Sequence, residues 1–261
     1  MKNSKDYSKK IGTLHQSLKR KHAKVQPAEF KTVVDSLIYG IISEKLTEKE
    51  TEAALKRFEG YFVDFNDLRV SRFEEIAELL GEDTPENREI AMSLTKVLNR
   101  IYSENHQVTL DGIHKLGKRP ARQKFEKMEE LSRFAIDYCM LTALDSHAIP
   151  LTENMVEYLK ANDLVDEQAD AATIEGFLAK QVSAKNGYEF YKLLRHESEI
   201  NVKKVKAARK SSENAPAEEN AKTSRPKKKV ATAKEKATKT VNKKAVKKVK
   251  KETTAKTKRK K

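Results

Sequence analysis

Tryptophan is absent from these 261 residues, cysteine occurs once, and there are only eight glycines. A single thiol, Cys139, excludes both an intramolecular disulfide and a four-cysteine iron–sulfur cluster, so no cofactor is expected. Its setting, "FAIDYCML", reads as a small apolar side chain buried on a helix. Long apolar runs are missing too. None approaches the ~18 residues a membrane-spanning helix needs. The opening "MKNSKDYSKKIG" lacks the hydrophobic segment of a secretory signal. A reducing compartment is expected: cytoplasmic and nucleoid-associated, with a nucleus as the alternative. No stretch keeps a strand-like alternation, which points to an all-α chain.

Charge is what the sequence has in excess, and it is unevenly placed. The whole chain carries 54 Lys+Arg against 39 Asp+Glu, a net of +15. Residues 202–261 hold 24 cations and 5 acids (net +19), and residues 1–25 hold 8 and 1 (net +7). Residues 26–201 are left with −11, so an acidic body has basic ends. A polyanionic partner is implied for those ends: DNA, or alternatively RNA. The acidic helical body could separately receive a protein partner.

The body reads as a series of amphipathic helices. "EFKTVVDSLIYGIISEKL" puts Phe30, Val33, Val34, Leu37, Ile38, Ile41 and Ile42 on one stripe. In "LTEKETEAALKRFEGYF", Thr47 and Glu50 have capping-box spacing. "RVSRFEEIAELLGE" repeats the form, with Ser71 as cap, Glu74 answering and Gly81 as the stop. Pro85 falls in the first turn of the next helix. Further helices are expected over 109–117, 121–144, 151–162, 171–181 and 187–196. Three regions result: a basic arm over 1–27, flexible or partly helical, a helical domain over 28–200, and a tail over 201–261.

After Asn201 there is no aromatic residue, leucine or isoleucine. Such a segment buries too little apolar surface to offset its ordering entropy, and is expected to be disordered. Its "KKAVKKVKKETTAKTKRKK" resembles the tails of linker histones. Arg225, Lys227, Lys228, Lys229, Lys243, Lys244, Lys247, Lys248, Lys250, Lys251, Lys258, Arg259 and Lys260 are the phosphate contacts it would supply. Inside the acidic body one basic cluster stands out: Lys118, Arg119, Arg122 and Lys124, able either to meet phosphates or to pair with neighbouring acids.

The layout of residues 28–196 resembles the helix-hairpin-helix DNA glycosylase superfamily, the endonuclease III type in particular. "SLIYGIISEKLTEKETEAALKRFEGYF" looks like its opening helix pair. "FNDLRVSRFEEIAELLG" looks like the next segment, and "IPLTENMVEYLKANDLVD" is similar to its Pro-Val-Asp-Thr-Asn-Val stretch, with Pro150, Asn154, Leu164 and Val165 in register. The resemblance implies a two-lobed helical fold, DNA as partner and base-excision chemistry.

The departures argue against the chemistry. The family's catalytic carboxylate falls on Thr152, its Schiff-base lysine on Phe134, and its gap-filling glutamine on Lys45. Neither a hydroxyl nor a phenyl ring replaces those groups. Glu153 is adjacent, but one helical step turns it about 100° from Thr152. The phosphate-cradling Leu-Pro-Gly-Val-Gly turn corresponds to "MEELSRF", without glycine and with Glu129 and Glu130. No site for a metal is legible among the six histidines, and His147, in "DSHAIP", is the one nearest the family's pocket. The reading is therefore a non-catalytic, glycosylase-like DNA-binding protein. An active glycosylase or abasic-site lyase using displaced residues and a nucleic-acid-tethered interaction scaffold are the alternatives.

Overall fold

The computed structural model describes the backbone of residues 4–213 and the side chains of residues 5–202. All of the expected tail contacts, Arg225 to Lys260, lie outside the described residues. Eleven α-helices and two short 3-10 turns make up the described chain, with no strand among them.

A basic, weakly apolar N-terminus was expected to be an arm. The helical part allowed for there is α1 (Ser4–Lys21), and it is docked on the body rather than free. Ile11 and Leu18 are buried, and Tyr7 and Leu14 pack beside them. Helical spacing gathers these four residues onto one side, which is the physical reason an otherwise polar segment folds onto the body. Residues 22–32 then run as an irregular strap to α2 (Val33–Lys45). Phe30, read from sequence as part of the α2 stripe, lies in this strap. The helix starts at Val33 because Thr32 caps it in a box with Asp35.

The capping box at Thr47 and Glu50 opens α3 (Glu48–Tyr61) as expected. Ser71, expected to cap a helix, ends α4 (Phe65–Val70), and α5 (Phe73–Leu80) begins behind Arg72 without a side-chain cap. Gly81 stops α5 at φ 153°, a backbone angle that favours glycine. Thr84 caps α6 (Pro85–Asn105), with Pro85 in its first turn. After the 3-10 turn at Asp111–Leu116 comes α7 (Lys118–Glu126).

The single helix expected over 121–144 is broken. α8 (Arg133–Thr142) is separated from α7 by a turn that Met128 and Leu131, both buried, pin to the core. Ser132 starts the new helix, its hydroxyl accepting from the Ala135 N–H at 3.0 Å. The remainder is α9 (Glu153–Ala161), α10 (Ala171–Gln181), a 3-10 turn at Ala184–Asn186 and α11 (Gly187–Glu213).

Two apolar clusters result. One joins α2 to α8 and includes Leu94, Phe125 and Cys139. The other joins α1 and α8–α11, with Phe134, Met155, Leu178 and Tyr191. Burial removes Cys139 from water entirely and pushes its thiol up to about 12, as a structural side chain requires. α8 belongs to both clusters. Gly40 of α2 allows this close crossing, since a Cβ there would sit 3.3 Å from the Ala135 backbone.

Candidate nucleic-acid interface

The α7–α8 turn is a hairpin built without glycine. Two of its N–H groups are used within the turn, Met128 to the Phe125 carbonyl at 2.9 Å and Leu131 to the Met128 carbonyl at 3.0 Å. No residue between 127 and 132 has a positive φ. A crevice of about 90 Å³ opens beside it, lined by Ile41, Glu44, Lys45, Glu89, Glu130 and Ser132, among others. Three carboxylates and one ammonium make this a poor cradle for phosphate. Lys45 Nζ lies 4.0 Å from Glu153, whose side chain is 91% exposed.

Phe134 cannot turn towards a substrate freely, because it is 4% exposed and held within rings. Tyr138 stacks on it at 6.2 Å, Tyr191 tilts against it at 6.4 Å, and the Arg195 guanidinium lies 5.8 Å from its centroid. Arg195 itself is only 2% exposed and ties α11 to the end of α2. It donates to the Ser43 and Leu46 carbonyls there, to the Tyr191 hydroxyl at 2.9 Å, and to Glu199 at 3.0 Å. A cation at those free carbonyls complements the α2 C-terminus. Burial disfavours its charge, but Tyr191, Glu199 and Glu48 together hold its pKa above the ordinary arginine value. Sequence reading passed over Arg195. The only signal was the spacing Tyr191–Arg195–Glu199, which places the three on one face of α11.

Thr152 is also committed to structure. It is 7% exposed and caps α9, its hydroxyl accepting from the Met155 N–H at 3.4 Å. His147, the histidine nearest the expected pocket, bonds through Nε2 to the Ala179 carbonyl at 2.6 Å and ties the loop before α9 to α10.

The internal basic cluster mostly pairs with its surroundings. Lys118 donates to the Asp145 carbonyl, Arg122 meets Asp137 at 2.6 Å and Glu126 at 2.9 Å, and Lys124 meets Glu104 at 3.7 Å. Asp137 is 3% exposed and also has Arg133 at 3.9 Å. Arg119 is exposed, and it is the one member of the four without a partner among the described residues.

A larger cleft, of about 520 Å³, lies under the strap, where Tyr39, Tyr138, Tyr188 and Phe30 line it together with Glu48 and Lys192. Tyr39 and Tyr138 stack at 5.0 Å with only 13° between their planes. Burial pushes both phenols far above their ordinary value, so they stay neutral. His22 and His196, also at this cleft, meet edge to face at 4.9 Å. Sequence spacing could not pair them, since the strap lies near the start of the described chain and α11 at its end.

Solved structures share this fold. An endonuclease III trapped as a covalent intermediate on DNA superposes with a TM-score of 0.57 at 13% identity, over 75% of this chain and 85% of that one. The Clostridium acetobutylicum 8-oxoguanine glycosylase/lyase bound to double-stranded DNA gives 0.58 at 13%, over 77% and 71%. The chain has the helix-hairpin-helix DNA glycosylase fold. A third neighbour with this fold, the H. pylori 3-methyladenine DNA glycosylase MagIII bound to 1,N6-ethenoadenine, gives 0.55 at 12%, over 76% and 98%. No protein-family profile and no curated protein matches the chain. Within the glycosylase fold, the iron–sulfur cluster of the endonuclease III type does not fit here, because the sequence holds one cysteine rather than four.

Proposed function

We propose that this protein binds DNA non-catalytically, using a glycosylase fold whose reactive positions have become structural. The observation that carries this reading is Phe134, which is packed against Tyr138, Tyr191 and Arg195 where the resemblance places an amine. Thr152, at the carboxylate position, caps a helix and carries no charge. General-base assistance alone is commonly worth 10²–10⁴-fold, and covalent catalysis would be lost as well.

The Lys-rich residues 202–261 supply most of the affinity in this reading, by releasing counterions from the duplex whatever its sequence. The acidic crevice at the hairpin supports that division, since it offers phosphate nothing comparable. Association with a nucleoid or with chromatin follows from the same charge.

Incubation with duplexes bearing oxidised, alkylated, mismatched and abasic sites, with borohydride present, tests the reading. Neither base excision nor a trapped adduct is expected. Thr152→Asp alone should restore no trapped adduct, because Phe134 still provides no amine. Turnover that survives repurification and disappears on a single substitution would establish the enzyme alternative. A fragment ending at Asn201, without the Lys-rich residues, should lose most of the affinity.

A second reading rests on the aromatic cleft. Stacked tyrosines suit a flat heteroaromatic ring, worth ~1–3 kcal/mol per stacked base, and MagIII is a neighbour of this fold bound to ethenoadenine. The protein would then recognise damage without removing it. A preference for an etheno-modified duplex that Tyr39→Ala abolishes would support this; equal affinity for intact and modified duplexes would end it.

A further inference from the structure

We infer that α1 presents a fixed phosphate-binding rail, formed by Lys5, Lys9 and Arg20, for the backbone of duplex DNA. The inference rests on the DNA-binding reading above and adds a second, rigid site to it. At 100° per residue, Ile11, Leu18, Tyr7 and Leu14 lie within about 60° of one another on α1. The middle of the opposite face falls on Lys9, Gln16 and Arg20, with Lys5 at its margin. The burial pattern agrees: Ile11 and Leu18 are buried, whereas Lys5, Lys9, Gln16 and Arg20 are all exposed.

The docking contacts decide which cations are left over. Lys19 pairs with Glu189 at 2.5 Å, Lys21 with Glu197 at 2.6 Å, and Lys10 donates to the Asp163 carbonyl at 2.7 Å. Ser8 adds a bond to Gln181 at 2.5 Å. Those contacts hold the helix against α10 and α11. Lys5, Lys9 and Arg20 have no partner among the described residues. The one acid of α1, Asp6, sits at the flank of the outward face, beyond Thr13.

Lys5 and Arg20 are fifteen residues apart, a rail of about 22 Å at 1.5 Å per residue. That length spans about six base pairs at 3.4 Å per step. A membrane surface is the weaker occupant, because an interfacial helix must direct apolar residues outward, and those of α1 face the body. Residues 26–201 are acidic overall and repel a polyanion, so within the described residues the unpaired cations of α1 are where one is best received. Because the helix is already ordered, binding there incurs little further ordering entropy.

The test uses the full chain with Lys5→Gln, Lys9→Gln and Arg20→Gln combined. A matched control removes three exposed cations of the body, Lys49→Gln, Lys56→Gln and Lys96→Gln. Affinity for an undamaged duplex is measured from 50 to 200 mM salt. With one phosphate per cation, the log–log slope should become shallower by about 2.7 in the rail variant. The affinity ratio between 50 and 200 mM would then shrink about 40-fold, while the control should keep the parental slope. An unchanged slope in the rail variant, or an equal loss in the control, overturns the inference while leaving the proposed function standing. A loss seen only on anionic phosphatidylserine vesicles or only on RNA overturns it as well. A parental chain that binds no duplex removes the proposed function itself. All six substitutions are at exposed positions, so thermal unfolding should match the parent and exclude misfolding as the cause.

Discussion

Two basic helices, α1 and α7, look alike in sequence and differ in the fold. α7 holds Lys118, Arg119, Arg122 and Lys124 in close succession, yet three of the four face a carboxylate or carbonyl of the same body. α1 pairs its inward-facing cations and leaves an outward row without partners among the described residues. A run of basic residues is thus no measure of a binding surface until the direction of each side chain is known. What separates the two helices is neighbouring acid. α7 lies against Asp137 and Glu104, whereas the outer face of α1 lies against water.

The largest expected effect tests whether α7 is structural. Arg122→Ala should destabilise the protein by about 3 kcal/mol, because it strips the near partner from a buried carboxylate. The loss is held below the upper end for buried pairs by the partial exposure of Arg122 and by Arg133, which stays at 3.9 Å. Chemical denaturation of the full chain measures it. A change no larger than about 0.5 kcal/mol, the usual range for surface substitutions, would place Arg122 with the free surface cations.

Next is the docking of α1. Leu18→Ala should cost about 2–3 kcal/mol through its missing contacts. Hydrogen exchange should then show α1 opening while α2–α8 stay protected. Exchange that is uniform throughout would mean α1 does not open separately.

Acid should weaken the same docking. Burial, and then Lys19, hold His15 below its ordinary value of 6.5, against the opposing pull of Glu189. A histidine whose folded pKa is lowered contributes stability that is fully present above 6.5 and is lost as pH falls below it. Burial tends to raise Glu197, but hydrogen bonds from Lys21 and His22 outweigh it and leave the carboxylate below 4.5. Its contribution is present above 4.5 and is lost only as pH falls further. Protection of the α1 amides, taken relative to their intrinsic exchange at each pH, should therefore fall as pH drops below 6.5, and His15→Leu should blunt that response. An α1 equally protected above and below that pH would contradict the assignment.

The smallest effects separate the two helices most finely. Lys124→Gln and Lys9→Gln should each change stability by about 0.5 kcal/mol or less. On DNA they should diverge, with Lys9→Gln lowering the salt slope by about 0.9 or less and Lys124→Gln leaving it unchanged. Equal slopes would erase the distinction.

Much of the architecture was legible because it is local. The Thr47–Glu50 capping box, Pro85 in a first turn, Gly81 as a stop and the all-helical class depend on residues within one or two turns. Failures came where distant parts meet. The chain is helix-permissive from 121 to 144, and it breaks at Lys127 because Met128 and Leu131 must reach the core. Ser71 has the composition of an N-cap and serves as the end of α4.

By itself, then, the sequence determined an acidic helical body with basic ends and most helix boundaries. Each of these follows from composition or from neighbours along the chain. Tertiary structure decided that residues 4–21 dock as a helix, that Arg195 seals the end of α2 beside Phe134, and that four tyrosines gather from α2, α8 and α11. It also decided which cations remain free. Those outcomes depend on groups up to 176 residues apart, such as Lys21 and Glu197, whose attraction exists only once packing has brought them to 2.6 Å.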